Sequence, residues 1–187
     1  MKLAKNRFQA EGFLHPKLGD FVMKSNIQLV NDMPLLDAAL FYADHFDFKI
    51  FPITAGTKKP AIEGKNSENG KGGFHWATNN PTQIRQWWEG EYRECNIGLS
   101  VAASGLVVID VDDYKEECDW DKFIEDNNIT PTLTQASASG GMHYFFKCDQ
   151  GETFSKHLKH KDGTTVKGVD ILHNGYVLLS PSKIASN

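Results

Sequence analysis

Short apolar blocks alternate along the chain with amphipathic stretches, and the two periods separate strands from helices. Leu36, Ala39, Leu40 and Ala43 recur at helical spacing, which predicts a helix to about Phe46 with Asp32 as its cap and Pro34 in its first turn. Residues 48–53 read as a strand, and Pro52 places it near a sheet edge or a strand end. A second helix is predicted from Asn80 as cap and Pro81, with Ile84, Trp87 and Trp88 as core or docking residues. Residues 96–100 read as a strand. Leu106, Val107, Val108 and Ile109 form a wholly apolar, β-branched run, as expected of a strand buried on both faces. After Asp113 a helix is predicted to about Asn127, with Trp120, Phe123 and Ile124 on its apolar side. Residues 132–138 and 142–148 read as strands around a tight turn at Ser139-Gly140-Gly141. On the second of these, His143 and Phe145 share one face and Met142, Tyr144 and Phe146 the other. Residues 168–172 and 176–179 read as a β-hairpin about Asn174-Gly175. Residues 54–76 and 149–167 read as polar loops, and residues 1–31 as an N-terminal extension before a domain over 32–187. This order of elements predicts an α+β architecture with mixed sheets.

Composition narrows the class. With 187 residues, 40% hydrophobic and 24% charged, the chain can bury a core. No apolar run reaches membrane-spanning length, so no membrane partner is expected. The basic N-terminus lacks a following apolar segment, so no signal peptide is expected. The odd, widely spaced Cys95, Cys118 and Cys148 point to reduced thiols and a cytoplasmic location. A net charge of −4 advertises no nucleic-acid partner, so any such binding must use local basic patches. Lys58, Lys59, Lys65 and Lys71 make residues 54–76 one such patch, or a solvated loop. Lys156, Lys159, Lys161 and Lys167 do the same for residues 149–167. The chain stops at Asn187 without a terminal helix or tail, which leaves room for a longer polypeptide.

The candidate chemistry sits on strands. The apolar run ends in Asp110 and Asp112, two residues apart and so on one face. Such a pair either meets solvent and caps the next helix or holds a hard divalent cation. Asp170, inside Val169-Asp170-Ile171, repeats the pattern. Three convergent carboxylates repel one another without a counter-charge, and oxygen-only ligation suits Mg²⁺ or Mn²⁺. His143 follows a Gly-Gly turn whose N–H groups could meet phosphate. A strand histidine is equally a satisfied structural residue.

The ordered set resembles the bifunctional DNA primase/polymerase family of the archaeo-eukaryotic primase superfamily, over about residues 36–182. It consists of Ala39-Leu-Phe-Tyr-Ala43, Phe51-Pro-Ile53, Gly56-Thr-Lys-Lys-Pro60, Ala77-Thr78 with Pro81, Ile84, Trp87 and Trp88, and Asn96-Ile-Gly98. Ser104 to Asp112, Ser139-Gly-Gly-Met-His143, Val169-Asp-Ile171, Gly175-Tyr-Val177 and Pro181-Ser182 complete it. The resemblance implies a primase-like α+β fold, an N-terminal α/β unit joined to a sheet unit similar to an RNA-recognition motif, with the active site in the cleft between. It implies a two-metal site on Asp110, Asp112 and Asp170, and a nucleotide contact at His143, with Ser139, Gly140 and Gly141 shaping the pocket. Single-stranded DNA template, nucleoside triphosphates and a replicative helicase are the partners it implies. Many relatives carry a basic residue two places after the third acid, where this chain has Leu172, so Lys58 or Lys167 is expected to supply that phosphate contact. Between His143 and Asp170 only Cys148, His157 and His160 are available, without paired-cysteine spacing, so no zinc site is expected. The expected activity is template-directed nucleotidyl transfer. A metal-dependent nuclease and a non-catalytic nucleic-acid-binding accessory domain are the rival classes.

Overall fold

A computed structural model describes residues 30–62, 72–115, 117–129, 133–137, 140–149 and 151–185. Residues 1–29 of the expected extension, Lys65, Lys71, Thr132, Ala138 and Ser139 lie outside them. The chain divides into two compact units, and among the described residues one is drawn from 105–174 and the other from the stretches before and after it. The α+β class holds, but the sheets are not the mixed ones expected: every ladder in both is antiparallel.

The flanking unit contains helix α1 (Leu35–Phe46), strand β1 (Ile50–Ile53), a 3₁₀ turn (Gly73–Trp76), helix α2 (Pro81–Trp88), strand β2 (Asn96–Ser100) and, after the return of the chain, strand β8 (Tyr176–Leu179). Pro34, with extended backbone, occupies the cap of α1, two residues past the expected Asp32, and no side chain caps the helix. At α2 the expected cap forms: the Asn80 side chain accepts from the N–H groups of Thr82 at 2.9 Å and Gln83 at 3.3 Å. The sheet runs β1-β2-β8. Pro52 therefore lies on an edge strand, where its missing donor leaves no ladder bond unmade. Ile50, Phe51, Ile53, Ile97, Leu99 and Leu179 are fully buried or nearly so, and Trp87 and Trp88 join them as core residues. Buried Asn96 is satisfied by Lys183, donating to its carbonyl at 2.7 Å and accepting its N–H at 3.1 Å.

The other unit is a five-stranded sheet, order β4-β5-β3-β7-β6, from β3 (Leu106–Val111), β4 (Leu133–Ala136), β5 (Met142–Lys147), β6 (His157–Lys159) and β7 (Thr165–Leu172). Helix α3 (Trp120–Asn127) packs on one face. There Val107, Ile109, Val111, Phe146 and Val169 meet Trp120 and Phe123, and Tyr144 packs beside them. Alternation then commits the partners of these residues to the opposite face.

Three expectations are corrected. The hairpin over 168–179 does not form. The chain leaves β7 at Asn174-Gly175 and β8 joins β2 instead, because the apolar Val177 and Leu179 complete the three-stranded sheet. The loop over 149–167 contains β6 and the start of β7, half-polar strands whose Leu158 and Val166 are buried. The helix after Asp113 begins only at Trp120, because residue 119 is tied to β7: the Asp119 N–H donates to the Lys167 carbonyl at 3.1 Å.

Gly98 at the centre of β2 faces Phe51 and Ile53. A Cβ there would lie 2.7 Å from the Phe51 ring and 2.8 Å from Ile53 Cδ1. Gly98→Ala should therefore lower stability by about 1–3 kcal/mol through overpacking, read as a lower urea midpoint. An unchanged midpoint would mean that this core yields without cost.

Candidate active site

The central strand β3 is in register with both neighbours at one position. Asp110 is opposite His143 on β5 and opposite Asp170 on β7. The row continues outward, His143 facing Gln135 on β4 and Asp170 facing His157 on β6. Directly opposed residues point to the same side. Five polar side chains thus cross the sheet in one line, on the face away from α3. The sequence-predicted Asp110, His143 and Asp170 are brought together by this register alone.

Two carboxylates directly opposite each other are destabilising. Bases flank them on both sides. His143, buried at 8% exposure, places Nε2 3.5 Å from Asp110 Oδ1. On the far side His157 Nδ1 lies 3.1 Å from Asp170 Oδ1, and Lys156 Nζ lies 3.4 Å from Asp170 Oδ2. Lys156 and His157 were missed as site residues. The signal available was a Lys-His pair inside a stretch whose single buried apolar residue, Leu158, marks a short edge strand.

Asp112 lies just past the end of β3, with its N–H donating to the Gly168 carbonyl at 2.8 Å. Its carboxylate is paired with Lys115. As a hydrogen-bond acceptor and a negative charge, the Asp112 carboxylate pushes the nearby Tyr114 phenol up. Lys115 is raised by its own hydrogen bond to Asp112, helped by the charges of Asp112, Tyr114 and Asp170. Asp113 is exposed and stands outside the row.

The Gly140-Gly141 turn closes the β4–β5 hairpin beside Asp112. Gly140 has φ +100°, a conformation that favours glycine. A Cβ on Gly141 would lie 2.2 Å from the Val111 carbonyl oxygen, so only glycine lets the turn approach β3. The N–H groups expected to meet phosphate are used within the turn. Gly140 donates to the Ser137 carbonyl and Gly141 to the Ser137 hydroxyl, each at 3.1 Å. Their part is to provide space.

The remaining expected residues are distributed differently. Lys58 is exposed and belongs to the other unit, where its carbonyl accepts from the Tyr176 hydroxyl at 3.0 Å. Lys167 pairs with Glu117. The positive charge beside Asp170 comes instead from Lys156, just before β6. All-oxygen donors from three aspartates fit a hard divalent ion in chemistry. In position, Asp110 and Asp170 are adjacent, whereas Asp112 is paired with Lys115. Among the described residues no three His, Cys, Asp or Glu side chains are drawn together as a ready ion site.

Asp112→Asn should bring the Tyr114 phenol down towards its ordinary value, because the charge that raises it is gone. Following the Tyr114 ring protons by NMR against pH checks this. An unmoved titration would show that Asp112 does not raise the phenol.

No curated protein matches the chain. Among the described residues no helix is long and apolar enough to cross a membrane. The family model described as "Bifunctional DNA primase/polymerase, N-terminal" matches residues 39–187, which takes in β1 through β8 and every member of the polar row. The chain belongs to the bifunctional DNA primase/polymerase N-terminal domain family.

Proposed function

We propose that this chain catalyses metal-dependent, template-directed nucleotidyl transfer, using the face of the five-stranded sheet opposite α3. The observation that carries the reading is the register of Asp110 between His143 and Asp170. Family membership supplies the reaction class, primase/polymerase chemistry. In this reaction a primer 3′-hydroxyl attacks the α-phosphorus of a nucleoside triphosphate, and pyrophosphate leaves.

Asp110 and Asp170, with Asp112 once released from Lys115, would hold Mg²⁺ or Mn²⁺. When bound, the ions supply a lowered hydroxyl pKa and charge stabilisation at phosphorus. His143, whose ring is buried, would donate to a triphosphate oxygen. Lys156 and His157 offer a second set of donors at the Asp170 end. Lys115, now paired with Asp112, would be a third donor to phosphate were that carboxylate to hold the metal. Single-stranded DNA is the template partner, and its binding should weaken with salt.

Asp110→Asn should reduce primer extension by about a hundredfold or more, because it removes the central acid of the row, while far-UV circular dichroism stays unchanged. The assay supplies primed single-stranded template and labelled nucleotides in Mg²⁺ or Mn²⁺. Extension at the wild-type rate would refute the reading. Cleavage of labelled DNA without added nucleotides would replace it with a nuclease.

A further inference from the structure

The three-stranded sheet carries a run of aromatic rings that starts in the core and ends at solvent. Phe51 on β1 lies over Gly98 on β2, where a Cβ would come within 2.7 Å of its ring. Tyr176 on β8 shares that face, since Gly98 is opposite both Phe51 and Leu178, and Tyr176 is two places from Leu178. The Tyr176 ring meets Phe51 edge-on, with centroids 5.4 Å apart. Phe74, from the 3₁₀ turn Gly73–Trp76, packs on Tyr176 at 5.7 Å, and the His75 ring lies on Phe74 at 4.2 Å. Phe51 is fully buried, Phe74 and Tyr176 are half-buried, and His75 is exposed. Trp76 follows it in the chain at 41% exposure.

This turn is braced against a loop that carries lysines. The Gly73 N–H donates to the Ile62 carbonyl at 2.9 Å, and a Cβ on Gly73 would lie 2.9 Å from Pro60 Cγ. The Tyr176 hydroxyl donates to the Lys58 carbonyl at 3.0 Å, and the Thr54 N–H to the Lys59 carbonyl at 2.8 Å. The side chains of Lys58 and Lys59 are exposed.

A lone exposed aromatic needs no explanation, and half-buried rings under a loop are ordinary packing. Here rings in mutual contact lead out to two exposed members, next to two cations whose backbone is tied to the same rings. Flat π-faces beside positive charge complement a single-stranded polynucleotide, which offers unstacked bases and anionic phosphates together. A duplex hides the faces of its bases.

We infer that the Gly73–Trp76 turn, with Lys58 and Lys59, is a contact surface for the single-stranded template, His75 and Trp76 stacking on bases and the lysines meeting phosphates. This rests on the nucleotidyl-transfer reading, which calls for such a template, and it gives the flanking unit a part in holding it.

The other three tryptophans are at most 8% exposed, so Trp76 is the one that a stacked base can quench. Oligothymidylate should quench the tryptophan fluorescence of the wild-type protein, and Trp76→Phe should remove most of that change. In anisotropy titrations of labelled oligothymidylate, His75→Ala with Trp76→Ala should weaken binding by about tenfold or more, the scale of base–aromatic stacking, with an unchanged salt slope. Lys58→Gln with Lys59→Gln should instead flatten the slope of log affinity against log salt by about 0.7 per lysine. If the ring variant, folded by circular dichroism, binds oligothymidylate as tightly as wild type, or if no quenching occurs, the inference is overturned. Primer extension by the wild-type protein would then leave nucleotidyl transfer standing. If the wild-type protein neither binds oligothymidylate nor extends primers, the nucleotidyl-transfer reading fails, and the template surface fails with it.

Discussion

Two carboxylates face each other across neighbouring strands, and much of the five-stranded unit is arranged around that repulsion. Asp110 and Asp170 are register partners, so their Cα atoms are held about 5 Å apart by the ladder. Neither can leave without breaking backbone hydrogen bonds. The opposite face fixes this register. Val107, Ile109 and Val111 must face α3, and Val169 must join them. A slip of one residue would send the acids into that core and the valines to solvent. The hydrophobic face therefore does the positioning, and the polar face receives the consequence.

The counter-charges explain the width of the sheet. A central strand with two neighbours would present Asp110, Asp170 and His143 with nothing on the Asp170 side. Strand β6 supplies His157 there, and Lys156 just before it, although the strand is only three residues long and anchored by a single buried leucine. These pairs are partly exposed, so each is worth little to stability. Their value lies in the local charge balance they bring beside two facing aspartates.

Strong local signals were legible in the sequence, and pairing partners were not. The apolar run into Asp110, the Asn80-Pro81 helix start, the Pro52 edge strand and the two faces of β5 could all be read from period and propensity. So could Asp110, Asp112, His143 and Asp170 as the residues worth placing. The Asn174-Gly175 turn signal was real as chemistry, but it could not say which strands it joined. Burial decided that, sending Val177 and Leu179 to β2. Strand β6 was illegible because an edge strand with one inward residue looks like a polar loop. The glycines were noticed for the wrong atom. Their N–H groups serve Ser137, and what matters is the missing Cβ against the Val111 carbonyl.

The crossover at Asn174-Gly175 also constrains how the molecule assembles. Strand β2 needs β8 to complete its sheet, and the whole five-stranded unit lies between them in sequence. Closing that long loop costs entropy before the β2–β8 pairing can offset it. The cost falls if the ends of the inserted unit are already close. Within that unit, His173 Nδ1 lies 3.0 Å from the Leu106 carbonyl, and β3 pairs with β7 through Val108 and Leu172. Folding of the inserted sheet therefore brings its own entry and exit points together. Val101 can then donate to the Gly175 carbonyl at 3.0 Å, and β8 continues the ladder at Ser100 and Tyr176. The same β3–β7 pairing that sets Asp110 against Asp170 thus also lowers the entropy cost of the loop that β8 must close to reach β2.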